Sequence, residues 1–487
     1  MIDTAARPTQ LHNPRGKLRW DSATRFGRRA FFTLSFGSSV GEGRSDLGAV
    51  HDAPPDGDRH KRSDVVTAGS HGGLERLAAR PQPVGEALYD ATIVFVAGLL
   101  MALGVAMVYS ASLTVRMPAF QLRQWWDTPL RQAGFALAGF LGMLIAAHVD
   151  YRVFAWRRPG DWWRSGLLYT LAVVLLVAVF VPGVGRAALG ARRAITIPGL
   201  ELGFQPGELA KLALVVWLAA YLTAPSALPG ARRSSLVGRS GVGVLTIRDF
   251  TRGFAPAVVG GGLLVALTGI EDFGTAALLG MVMLLMLWQG GARVRHLGLL
   301  GLVAALGGVG LILLKRHRLE RILTWWTKDP DPSGPAYQVN QALMAIGSGG
   351  WWGRGLGAGV QKYGYLPQDN NDFILAIICE ELGVVGGLVV VGLFLLLLWR
   401  GACIARRCPD PFGRLLASGL TLVICLQAAM NVGVVTNSIP TKGISLPFVS
   451  AGGSGVVFLG LAAGLLAAVA RTLPSAECRP AAGSPDG

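Results

Sequence analysis

The stretch YLPQDNNDFILAIICEELG, residues 365–383, sets Asp372 at the lip of a long apolar run and Glu380 and Glu381 inside it. An ionised carboxylate at a membrane mouth can serve as a general base or as a ligand to a cation. An Asp at a helix start also suits an N-cap, and capping lowers its pKa and keeps it ionised. The two glutamates lie about 12–14 Å further along a helix, too far to form one acid–base dyad with Asp372. Ionisable groups at membrane depth must face protein or water. They therefore either line a polar cavity beneath Asp372 or pair with an Arg or a backbone donor.

Cations gather upstream. The segment KRHRLERILTWWTK carries Lys315, Arg316, Arg318, Arg321 and Lys328 against the single acid Glu320. Two readings compete: interfacial anchoring, with Trp325 and Trp326 as belt residues, or binding of an anionic ligand, for which Arg suits bidentate phosphate contacts. Near the C-terminus, NSIPTKGISLPFVSAGGSG (437–455) places Lys442 in a Pro/Gly loop that leads into a small-residue run suited to tight packing. Other polar groups inside apolar runs are Gln205, Glu208 and Lys211, and Glu271 and Asp272. Glu208 and Lys211 are three apart on one helical face, which predicts a local ion pair.

The elements that must position these groups are membrane helices. Of 487 residues, 52% are hydrophobic and only 15% charged, with a mean hydropathy of +0.47; a soluble chain of this size needs far more polar surface. The 67 glycines are scattered through the apolar runs, as in closely packed membrane helices. A formal net charge of +16 raises nucleic acid as a partner, but the basic residues collect in short links between apolar runs, so no nucleic-acid partner is expected. The five cysteines show no metal-type spacing and read as structural or neutral.

Spanning a hydrocarbon core takes about 20 apolar residues. Ten candidate spans follow: 88–110, 131–149, 165–183, 205–223, 254–270, 272–289, 297–314, 373–399, 414–433 and 450–471. The expected fold is thus an all-α integral membrane protein of about ten transmembrane helices, with a large extracytoplasmic loop, 315–372, between helices seven and eight. Residues 1–84 read as a disordered cytoplasmic tail, 85–473 as the membrane domain and 474–487 as a short cytoplasmic tail. Arg-rich links at 150–164, 224–253, 290–296 and 400–413 put both termini inside by the positive-inside rule. Loop 315–372 then lies outside, so its basic cluster works against topology and needs another reason. Loops of this length in compact proteins are usually functional, and GSGGWWGRGLGAG supplies tight turns and close backbone approach. No Walker loop, GxSxG, HExxH or EF-hand pattern occurs, so ATPase, serine-hydrolase and zinc-protease readings lack support.

Several segments together resemble the SEDS family, the FtsW/RodA/SpoVE group of ten-helix bacterial peptidoglycan glycosyltransferases, over residues 88–471. They are MVYSAS (107–112), GARRAI, FQPGELAKL (204–212), DFGT (272–275), YQVNQALMAIGSGGWWGRGLGAGVQK, LPQDNNDFILAIICEELG and PTKGISLPFVSAGGSG. The Pro-Thr-Lys form of the last is closer to the division branch, FtsW, than to RodA. Ala194, Gly207, Gln368, Asn370, Ala451 and Gly455 depart from the family's usual residues, while Asp372 does not.

The resemblance implies polymerisation of lipid II at the outer face of the bacterial cytoplasmic membrane, for septal wall synthesis. In such enzymes a sugar hydroxyl attacks the anomeric carbon of the growing chain and displaces lipid pyrophosphate. Asp372 would be the base, or a ligand to a divalent cation (Mg or Mn) that neutralises the pyrophosphate. Arg318, Arg321, Lys362 and Lys442 would grip phosphate, Gln338 would join the substrate contacts, and Glu380 and Glu381 would support the cavity. A class B penicillin-binding protein (a transpeptidase) and other divisome proteins are the implied partners. A lipid II flippase and a non-catalytic scaffold for the transpeptidase are the competing classes.

Overall fold

The computed structural model describes residues 91–112, 127–156, 161–181, 185–188, 191–196, 203–224, 247, 250–327, 336–362 and 371–473. The expected tails 1–84 and 474–487, Gln368 and Asn370, and loop stretches 328–335 and 363–370 lie outside the described residues. All described residues fall within one compact unit, Ala79–Gly487.

Twelve α-helices are described. We number them α1 (Ala91–Ser112), α2 (Asp127–His148), α3 (Trp162–Ala178), α4 (Pro206–Thr223), α5 (Ala255–Glu271), α6 (Phe273–Gln289), α7 (Val294–Leu313), α8 (Arg316–Thr327), α9 (Tyr337–Gly349), α10 (Ile374–Arg407), α11 (Pro411–Val435) and α12 (Ser454–Arg471). Seven are long and apolar enough to cross a membrane, and α3, α5 and α6 are shorter apolar helices. These ten correspond one for one to the expected spans. The remaining two, α8 and α9, belong to the loop between the seventh and eighth spans.

The small residues do what membrane packing asks of them. The α2 and α12 helices lie along each other, and Gly139 on one meets Gly460 on the other, backbone against backbone. Helix α4 occupies the centre, touching α3, α5, α6, α11 and α12. Hence it is buried nearly throughout, including Glu208 and Lys211. Helix α7 buries no residue and packs mainly on α6 before leading into α8.

Two features depart from a plain helical bundle. Between α3 and α4 the chain forms a small antiparallel sheet, β1 (Gly185–Ala188), β2 (Ala191–Thr196) and β3 (Gly203–Phe204), in the order β1-β2-β3. It is too short to give a period-2 signal in the sequence. And α10 is not one continuous helix. It breaks at Gly383, whose φ of 75° and ψ of 177° lie outside the helical region. A Cβ there would overlap the Trp351 carbonyl oxygen, so the position admits only glycine.

The break is filled by the loop that follows α9. Arg354 N donates to the Glu380 carbonyl at 3.0 Å and Gly355 N to that of Glu381 at 2.9 Å. In return Val384 N and Val385 N donate to the carbonyls of Gly350 (2.9 Å) and Trp351 (3.3 Å). These are the helix groups a broken turn leaves unpaired at membrane depth, where an unpaired group is costly. The loop 350–355 therefore replaces a missing helical turn.

Candidate functional site

Asp372 stands half-buried at the head of α10, two residues before its first helical residue. Phe373, not Asp372, occupies the N-cap position and carries no side-chain capping bond. The main chain here is held from outside α10. The Asp372 carbonyl accepts from Asn431 Nδ2 at 2.8 Å, and the Asn371 carbonyl accepts from Ser450 Oγ at 2.7 Å. The same Asn431 Nδ2 donates at 2.8 Å to the carbonyl of Ile444, two residues from Lys442. One amide on α11 thus joins the head of α10 to the α11–α12 loop.

That loop forms one wall of an open cavity with about 490 Å³ of empty space, lined by Asp272, Phe273, Arg318, Arg321, Thr441 and Lys442 among others. Two cations share one ring there: Lys442 Nζ lies 4.7 Å and Arg318 Cζ 5.8 Å from the Phe273 centroid. Burial pushes the Lys442 ammonium below its ordinary pKa, and the nearby Asp272 carboxylate opposes the shift. Arg318 also donates to the C-terminal carbonyls of α5, reaching Gly269 at 3.3 Å and Ile270 at 2.9 Å. A cation suits that helix end. Trp325 Nε1 donates to the Asn437 carbonyl at 3.0 Å, while Trp326 is exposed.

The inner acids form a second, separate cluster. Glu381 pairs with Lys362 at 2.9 Å and accepts from Ser110 Oγ at 2.6–2.7 Å. Glu380 accepts from the backbone N–H of Val360 at 2.7 Å and of Gln361 at 3.3 Å. Both glutamates and Lys362 are fully buried. Of the phosphate contacts expected from sequence, Arg318, Arg321 and Lys442 come together. Lys362 instead sits with Glu380 and Glu381, fastening the 353–362 segment to α10. Gln338 is half-buried in the first turn of α9, and among the described residues no hydrogen bond joins it to either cluster. The expected Glu208–Lys211 ion pair forms at 2.7 Å, with Gln427 Oε1 accepting from Lys211 at 2.6 Å.

Two residues that hold Asp372 escape a reading of the sequence. Asn431 lies inside the span 414–433, and Ser450 opens the small-residue run of the last span. The available signal was an amide within an apolar run, which must find partners at membrane depth.

As for metals, no group of three or more His, Cys, Asp or Glu among the described residues is arranged to hold one. Both Asp272 carboxylate oxygens already accept from Thr275, at 3.1 Å from its N–H and 2.9 Å from its hydroxyl.

Ten apolar helices define a multi-pass membrane protein, in which Asn431 ties the main chain of Asp372 to the loop that walls a cation-lined cavity. The chain belongs to the FtsW/RodA/SpoVE family, described as cell cycle proteins, whose model matches residues 90–474. It is 38% identical over 380 residues to the "Probable peptidoglycan glycosyltransferase FtsW" of Geobacter sp. (strain M18), covering 78% of this chain and 95% of that protein. It is 37% identical over 384 residues to the stage V sporulation protein E of Bacillus subtilis, covering 78% and 97%. Among solved structures, it resembles a chain of a peptidoglycan synthase complex in which polymerization and crosslinking are coordinated (TM-score 0.58, 26% identity, 79% of this chain and 99% of that one). It also resembles the rod shape determining protein RodA of Thermus thermophilus (TM-score 0.53, 26% identity, 79% and 98%).

Proposed function

We propose that this protein is a peptidoglycan glycosyltransferase that polymerises lipid II, with Asp372 as its general base. The observation that carries this is that Asn431 ties the main chain of Asp372 to the α11–α12 loop whose Lys442 lines one cavity with Arg318 and Arg321. The substrate class asks for both halves. The Asp372 carboxylate takes the proton of the acceptor sugar hydroxyl as its oxygen bonds to the anomeric carbon of the growing chain. The bond from that carbon to pyrophosphate breaks, and the pyrophosphate leaves with the electron pair. This leaving group is already a weak base, so one carboxylate suffices and no second carboxylic acid is needed. The three cations stabilise the charge that develops on it.

The Arg-rich links, among them Arg152, Arg164, Arg293 and Arg406, lie at the bundle end opposite Asp372, so the positive-inside rule supports a cytoplasmic face there and an outward-facing site. The FtsW-named relatives and the Pro-Thr-Lys sequence at 440–442 favour a role at the division septum of the inner membrane. The synthase complex among the similar structures supports action beside a partner that crosslinks the strands, a class B transpeptidase.

The test is strand formation from lipid II by the purified protein, bound to its partner with the partner's active site blocked, comparing wild type with Asp372→Asn. Strands from wild type and none from a folded, partner-bound variant are expected. Equal strands from both remove Asp372 from the mechanism. No strands from either revive the flippase and scaffold readings.

A further inference from the structure

We propose that Asn431 and Ser450 are positioning residues that aim the Asp372 carboxylate at the acceptor hydroxyl and fix its distance from the cation cavity. This rests on the reading of Asp372 as the base.

The helix ladder does not reach Asp372. The first turn of α10 begins with Ala376 N donating to the Phe373 carbonyl, which leaves the carbonyls of Asn371 and Asp372 without a helical partner. Side chains from two other elements satisfy them. Asn431, with no exposed surface, donates both protons of one amide nitrogen, one to Asp372 and one to Ile444, each at 2.8 Å. Its orientation is set by those two carbonyls, because a flipped amide would face oxygen with oxygen. Among the described residues its Oδ1 has no hydrogen-bond partner, and both carbonyl contacts run through its nitrogen.

Ser450, 1% exposed, donates to the Asn371 carbonyl and accepts from Leu446 N, both at 2.7 Å. The Ser450 carbonyl in turn accepts from Gln132 Nε2 of α2 at 3.2 Å. Between them, Phe448 holds a left-handed backbone (φ 64°) although it is not glycine. Strain of that kind persists only where the surroundings over-determine the local conformation. Two consecutive peptide units before α10 are thus fixed by α11 and by the α11–α12 loop, and the second fixes them relative to Lys442. Misplacing a catalytic group by about 1 Å can cost on the order of a hundredfold in rate.

The experiment measures kcat and KM for lipid II, with thermal melting, in the partner-bound protein. The variants are Asn431→Leu, Asn431→Asp, Ser450→Ala, Thr421→Ala and Asp372→Asn. Leucine keeps the volume and has no donor. Aspartic acid, kept protonated by burial among carbonyls, has one. Thr421 is a buried hydroxyl on α11 that donates only to Ala417 of its own helix, so its loss reports destabilisation alone.

The expected result is a kcat lowered about 10- to 100-fold by Asn431→Leu and by Ser450→Ala, with KM little changed, and an intermediate kcat for Asn431→Asp. Thr421→Ala should keep kcat per folded molecule within about twofold. If Asn431→Leu does not fold, Asn431→Asp and Ser450→Ala carry the comparison. Wild-type kcat in folded Asn431 and Ser450 variants, or losses no larger than that of Thr421→Ala at equal melting, overturns the proposal while Asp372→Asn stays inactive. An active Asp372→Asn overturns the base reading itself, and the positioning role with it.

Discussion

Lys362 Nζ and Glu381 Oε1 lie 2.9 Å apart with both side chains wholly enclosed. Lys362 also donates to the Gly357 carbonyl at 2.7 Å, and Ser110 of α1 donates to the same glutamate. The pair therefore joins three pieces of chain, α1, the post-α9 segment and α10, at a depth where neither charge can be left alone.

Breaking that pair from one side should be far worse than removing it. Lys362→Met leaves a buried carboxylate, and Glu381→Gln leaves a buried ammonium; each is expected to cost about 3–5 kcal/mol. Removing both charges together leaves no uncompensated ion and should recover a good part of that loss. Melting of the four proteins in one detergent checks this. Additive losses in the double variant would show that the two residues are not coupled.

Gly383→Ala should detach the segment that α10 carries. The backbone at 383 is left-handed, and a Cβ would strike the Trp351 carbonyl. Helix-like backbone at 383 would restore the ladder of α10 but free the N–H groups of Arg354 and Gly355 and the carbonyls of Gly350 and Trp351. The expected result is faster proteolysis between 350 and 362 with the rest of the bundle intact. The local cost is at least about 1–3 kcal/mol from backbone strain. Unchanged cleavage in that segment would count against the spliced turn.

The ten spans were legible because an apolar run of spanning length is a local property of the chain, and the Glu208–Lys211 pair because i,i+3 spacing on a helix is local too. The break in α10 was not. Within ICEELGVVGGL the first glycine, just past two acids and a leucine, looks like helix interior, and only the loop arriving from α9 makes a left-handed Gly383 favourable. The partners of Glu380 and Glu381 were hidden for the same reason: Val360, Gln361 and Lys362 are about 20 residues away in a Gly-rich stretch whose path is set by tertiary contact. Asn431 holds the Asp372 carbonyl from 59 positions away and Ser450 the neighbouring Asn371 carbonyl from 79, and no periodicity encodes that. Cations could be counted from sequence, but their division between the Phe273 cavity and the buried Glu381 could not.

The pH dependence of substrate binding should carry the signature of Lys442. Burial lowers its pKa from the ordinary 10.5, so as pH rises it loses its charge earlier than an exposed lysine does. A pyrophosphate needs the charged form, hence KM for lipid II should climb on the alkaline side at a pH below 10.5. Asp272 favours the charged form, so Asp272→Asn, which can still accept from Thr275, should move that climb to lower pH. Lys442→Met should give a raised KM with this alkaline climb removed. A climb that survives Lys442→Met belongs to another group.

Phe273 should matter more than an apolar side chain at a cavity wall ordinarily does. Lys442 and Arg318 lie 4.7 and 5.8 Å from its centroid, and a ring face attracts cations without neutralising them. A carboxylate in that place would hold the two side chains at least as firmly but would cancel the charge that a pyrophosphate must meet. Each cation–π contact is worth roughly 0.5–1 kcal/mol at a partly exposed site, about a two- to fivefold effect on binding. Phe273→Leu keeps the bulk and removes the quadrupole. It should therefore raise KM several-fold while leaving kcat close to wild type, because Asp372 is held by Asn431 and Ser450 rather than by this wall. Phe273→Tyr, which keeps the ring, should restore KM. Equal KM values for the Leu and Tyr variants would mean that the ring serves only to fill space, and that Arg318 keeps its position without it, through bonds such as those to the carbonyls of Gly269, Ile270 and Leu311.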